Sequence, residues 1–190
     1  MTTNSRSATN RRASESSDEV GLIVALLTRF PEIATLVAHP ADGTVLLTFA
    51  VTGRIDRATE TTIGTEIADH VAGLLAAVRD TPEVLEVVCE HDEQVSFVRV
   101  RRDVRSFSRE ELVILTQLVA GRFGERLVRS PQSEPLADED LEAQDELVEY
   151  AIEALRDPSS QKSLVGFHEE RGVLVYFLKT RKKAGARARW

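Results

Sequence analysis

Residues 26–49 read LLTRFPEIATLVAHPADGTVLLTF, and their order decides how the rest of the chain is parsed. An apolar segment stops at Pro31, because proline cannot continue a helix. Two β-rich runs follow, IATLVAH and TVLLTFAV, on either side of PADG, in which Asp42-Gly43 is a hairpin signal. The same order returns at 74–100, LLAAVRDTPEVLEVVCEHDEQVSFVRV, and at 154–178, ALRDPSSQKSLVGFHEERGVLVYFL. Each stretch runs helix end, polar turn, strand, a histidine with carboxylates, and second strand. Duplication and mere recurrence of a common supersecondary unit account for this internal repetition equally well. Either way the expected class is α+β, with antiparallel hairpins in αββ units and helices packed on the sheet.

Working outward from these hairpins, Asp18 and Glu19 open a helix through Arg29, with Val20, Ile23, Val24 and Leu27 at helical spacing and Leu22 and Leu26 widening the stripe. A second helix is expected from about Glu60 to Arg79, with Ile63, Ile67, Val71, Leu74, Leu75 and Val78 on one face. Ser108 and Glu111 have the S-x-x-E spacing of a capping box and start a third, with Leu112, Leu115, Val119 and Phe123 inward. SPQSEPLA, residues 130–137, has linker composition, and the acidic run after it forms a helix with Leu141, Val148, Ile152 and Leu155 on one side. The expected organisation is a disordered lead at 1–17, a main αββαββα domain at 18–129, a linker at 130–137, an acidic helix plus hairpin at 138–178, and a basic mobile tail at 179–190.

The αββαββα order of residues 18–129, with its Asp42-Gly43 hairpin, resembles the layout of roadblock-type interaction modules. The resemblance covers topology alone. It implies a protein-interaction or regulatory module; exposed sheet edges or the apolar first helix are the surfaces through which such a module would act, as a homo-oligomer.

Composition narrows the function classes. The chain has 190 residues, 42% of them apolar, and one cysteine, Cys89, which excludes an internal disulfide and a cysteine-based zinc site. The longest apolar run, VGLIVALL at 20–27, is far short of the roughly 20 residues that span a bilayer. These features read as a cytoplasmic protein without a membrane span. No G-x-S-x-G, S-x-x-K, Walker A or G-x-G-x-x-G motif occurs, so no catalytic residue, cofactor or metal is assigned and a non-enzyme is favoured. His39, His91 and His168 recur near hairpin turns beside Asp42, Asp92, Glu93, Glu169 and Glu170. They could hold a cation only if the turns converged, and polar residues are what turns ordinarily contain. GRFG at 121–124 has the G-x-x-G pattern of a KH loop, but Phe123 also continues an apolar helical face.

Charge is distributed unevenly. The net charge is −7, yet residues 179–190 hold Lys179, Arg181, Lys182, Lys183, Arg187 and Arg189 and no acid. Such a tail can neutralise phosphates, meet an anionic surface or fold back on acidic segments. Arg99 and Arg101 share one side of a strand with Phe97, which suits stacking on and neutralising RNA, although Asp103, Glu110 and Glu111 are nearby acids that could pair with them. The first expectation is therefore a non-catalytic binding module that contacts nucleic acid or the ribosome through its tail. The second is a protein-interaction or regulatory module that forms a homo-oligomer.

Overall fold

Strand β2, Thr44–Thr52, lies near the middle of the sheet, and most of its residues are buried on both faces. In the computed structural model the chain is described over residues 20–130, 138–156, 162–170 and 172–178. The expected lead at 1–17, nearly all of the linker and the basic tail at 179–190 lie outside the described residues. The helices are α1 (20–29), α2 (Arg57–Ala77), α3 (Arg109–Phe123) and α4 (Asp138–Leu155). The remaining strands are β1 (Thr35–His39), β3 (Leu85–Asp92), β4 (Val95–Asp103), β5 (Ser163–Glu169) and β6 (Gly172–Leu178).

All six strands join one antiparallel sheet in the order β3-β4-β2-β1-β5-β6. The three sequence hairpins therefore lie side by side, in an α+β arrangement with the helices packed on the sheet. Residues 138–178, set apart by the linker in the sequence, add α4, β5 and β6 to this same sheet and core: Val37 of β1 pairs with Val165 of β5, and Val148, Ile152 and Leu155 join the buried cluster.

Strand parity decides what each residue meets. Leu36 and Ala38 of β1, Val45, Leu47, Phe49 and Val51 of β2, Val98 and Val100 of β4, and Leu164 of β5 face one side, where they form a continuous core with Ile23 and Leu27 of α1, Ile63 and Ile67 of α2, Leu112 and Leu115 of α3, and Val148 of α4. Each fully buried Leu, Ile or Phe contributes on the order of 1.5–3 kcal/mol. Gly166 lets α1 approach β5: a Cβ there would stand 2.3 Å from Ile23 Cγ2 and 2.9 Å from Leu27 Cδ1.

The helix ends follow their capping residues. α2 starts at Arg57, three residues before the expected Glu60, because Asp56 caps it, its carboxylate accepting from Thr59 N at 2.9 Å and from Thr59 Oγ1 at 2.8 Å. Those bonds hold the Asp56 carboxyl below its usual range. Ser108 caps α3 by accepting from Glu111 N at 3.3 Å. The reciprocal half of the expected capping box is replaced by another bond, because the Glu111 carboxylate turns inward to Arg102.

Arg102 follows Val98 and Val100 at period two and so points into the core. It is fully buried. Its Nε donates to Glu111 Oε1 at 2.5 Å, Nη2 donates to Glu111 Oε2 and Ser106 Oγ at 3.0 Å each, and Nη1 donates to Asp103 Oδ1 at 2.6 Å and to Val84 O. Asp103 in turn accepts from Glu83 N and Val84 N at 2.9 Å and from Ser106 N at 3.0 Å. One network thus ties the start of β3, the end of β4 and the first turn of α3.

Candidate binding surface

Opposite the core, the sheet presents its other face. The residues of alternate parity there are Val37 and Thr35 on β1, Leu46, Thr48 and Ala50 on β2, Val88, Glu86 and Glu90 on β3, Phe97, Arg99 and Arg101 on β4, Val165 and Phe167 on β5, and Leu174 and Tyr176 on β6. Among the described residues, no helix packs on this face; all four contribute their buried residues to the core on the other side. Val88 is 50% and Tyr176 54% exposed, and Val37, Leu46, Phe97, Val165, Phe167 and Leu174 are half-buried. The Phe167 and Tyr176 rings stack with centroids 5.9 Å apart. Apolar side chains from every strand therefore meet solvent across one surface, the kind of patch that marks interaction sites.

Phe97, Arg99 and Arg101 do share this face, as the sequence parity requires. The partners of the arginines are not those the sequence suggested. Arg99 Nη1 donates to Glu90 at 2.7 Å and Arg101 Nη1 to Glu86 at 3.4 Å, both carboxylates lying on the neighbouring strand β3. Asp103 and Glu111 are taken by Arg102. Each face arginine thus stands beside a carboxylate, and the strip at this end of the face is charged but balanced. Lys179, Arg181, Lys182, Lys183, Arg187 and Arg189 lie outside the described residues.

The three histidines are placed apart. His39 Nδ1 lies 3.0 Å from Ser163 Oγ at the start of β5, whereas His168 is near the other end of that strand. His91 is on the edge strand β3. Among the described residues, no group of three His, Cys, Asp or Glu side chains is placed to hold a metal ion. Burial lowers the His168 basicity, and this ring borders an open concavity of about 410 Å³ lined also by Pro31, Ala34, Val128, Arg129, Ser130, Glu169 and Glu170.

A Glu-His-Ser constellation missed in the sequence joins three elements: Glu60 on α2 contacts His91 Nε2, and His91 Nδ1 lies 2.8 Å from Ser96 Oγ on β4. Proton bookkeeping defines its role. Ser96 Oγ donates its single hydroxyl proton to Gly53 O at 2.8 Å and accepts from Ile55 N at 3.1 Å. Toward His91, Ser96 is left with a lone pair to offer. With its hydrogen bound to a carbonyl and its side chain fully buried, Ser96 is a structural tie between the β2–α2 loop and β4 rather than a nucleophile. Only residues 96 and 91 facing each other across a hairpin could have signalled it, since Glu60 is remote in sequence.

GRFG also takes a plain structural role. Gly121, Arg122 and Phe123 complete α3, Phe123 is buried, and Gly124 ends the helix at φ 53°. The motif thus forms a helix terminus. Among the described residues, no helix is long and apolar enough to cross a membrane. Compared with family models, curated proteins and solved structures, the chain matches no protein-family model, no curated protein and no solved structure.

Proposed function

We propose that this protein is a non-catalytic interaction module that receives an amphipathic helix of another protein on its uncovered sheet face. The observation that carries the reading is the asymmetry of the sheet: four helices cover one face, while Val37, Leu46, Phe97, Val165, Phe167 and Tyr176 remain on the other. Helices pack on sheets through such apolar faces, and a helix laid here would complete a second layer. The balanced pairs Arg99–Glu90 and Arg101–Glu86 at the edge of the patch suit a polar rim with both signs of charge.

A nucleic-acid partner fits this face less well, because a phosphate backbone would have to compete with Glu86 and Glu90 for its arginines. That alternative rests on the six charges of residues 179–190. The test is selection of helical peptides from a random displayed library on the full chain. Selected peptides should lose at least tenfold in affinity for the Val37→Glu/Val165→Glu variant and keep it for a chain ending at Leu178. Peptides indifferent to the face variant, together with salt-steep RNA or DNA binding that vanishes with the tail, would move the function to the tail.

A further inference from the structure

The two edges of the sheet are built differently, and the difference concerns the backbone edge of β6 rather than the face just described. β3, at one edge, reads LEVVCEHD and exposes Glu86, Glu90, His91 and Asp92. Charges of this kind guard an edge strand against pairing with another chain. β6, at the other edge, reads GVLVYFL over seven residues. It has no charge and no proline, and Tyr176, Phe177 and Leu178 are 54%, 42% and 38% exposed. Its outward backbone groups meet no other strand among the described residues.

We infer that β6 pairs antiparallel with β6 of a second copy about a two-fold axis, joining two six-stranded sheets into one. Charge complementarity selects this occupant. Antiparallel self-pairing brings Leu178 of each copy beside Gly172 of the other. The chain continues from Leu178 into Lys179, Arg181, Lys182 and Lys183, and the partner copy's β5–β6 turn, which this pairing brings beside Leu178, reads Glu169-Glu170-Arg171-Gly172, two acids to one base. Within one copy the arrangement is opposite in sign. Leu178 pairs with Ser163, next to Lys162, and is separated from the Glu169–Gly172 end by the length of the strand, about 20 Å at the usual rise. A second copy therefore offers acidic residues at the point where the chain leaves β6. A strand without charge also pairs with itself at no like-charge cost.

Sedimentation velocity on the full chain from about 1 to about 100 µM, a range that brackets micromolar affinities, tests the inference. A concentration-dependent dimer is expected. Phe177→Lys, at an exposed position on the side of β6 away from the uncovered face, should raise its dissociation constant at least tenfold. Glu169→Lys/Glu170→Lys should weaken the dimer, and adding Lys179→Glu/Arg181→Glu/Lys182→Glu/Lys183→Glu should restore it. Hydrogen exchange should show concentration-dependent protection confined to β6. A monomer throughout the range, or a dimer insensitive to Phe177→Lys and broken by Val37→Glu, would overturn edge pairing. The first outcome leaves the sheet-face reading intact, because peptide binding to that face is read on β1 and β5.

Discussion

Arg102 meets Glu111 side-on inside the fold, with Nε to Oε1 at 2.5 Å and Nη2 to Oε2 at 3.0 Å, and neither side chain is exposed. A buried ion pair of this kind is weak evidence for added stability but strong evidence of mutual dependence, since each charge left alone would be unsolvated. Burial by itself raises the Glu111 carboxyl, and the Arg102 hydrogen bonds and charge oppose that.

Removing one partner is the informative change. Arg102→Ala strands two buried carboxylates and should cost about 3–5 kcal/mol, whereas an apolar residue at both 102 and 111 should cost less than Arg102→Ala alone. Urea denaturation of the two variants beside the parent chain measures the order. A single variant as stable as the parent would show that the network is not coupled.

Asp103 gives the acid response its sign. Burial alone would raise its carboxyl, but bonds from Ser106 Oγ, Val84 N, Ser106 N and Arg102 outweigh burial and hold it well below the usual range. A depressed folded-state value means stability that is fully present above the ordinary carboxylate pKa of about 4 and lost as pH falls through that range toward the lower folded value. Asp103→Asn should therefore be less stable than the parent at pH near 7, with the gap narrowing below about pH 4. Equilibrium unfolding at a series of pH values reads the gap directly; a gap independent of pH would rule out the ionised Asp103 as its source.

Gly166 should not tolerate even one added carbon. The modest-looking Gly166→Ala places a Cβ 2.3 Å from Ile23 Cγ2, so α1 must shift or Ile23 must leave its rotamer, at about 1–3 kcal/mol. A melting temperature several degrees lower is expected. An unchanged value would mean that α1 can back away from β5 freely.

Cys89 should be slow to react. Burial pushes its thiol up to about 11, and the nearby Glu60 charge adds to the effect. At pH 8 little thiolate is present, so alkylation by iodoacetamide should run far more slowly in the folded chain than in denaturant. Equal rates in the two states would contradict the placement of Cys89 on the half-buried side of β3.

Much of this arrangement is legible in residue order because it is set by periods of a few residues. Alternation along TVLLTFAV and VSFVRVRR assigns each side chain to a face, and it places Phe97, Arg99 and Arg101 together and Arg102 opposite them. Helix spacing found Ile63, Ile67, Leu112 and Leu115 for the same reason. Pairings that cross the chain were out of reach. That Arg99 meets Glu90, that Glu60 meets His91, that β5 seals against β1 rather than standing apart, and that all four helices choose one face depend on strand order. Strand order is settled by contacts between distant segments, whose worth appears only when the core closes. Local pattern built the αββ units and marked the inner residues of each; tertiary packing alone decided that, among the described residues, every helix would lie on one face, because only the assembled sheet determines which side the helices can jointly bury.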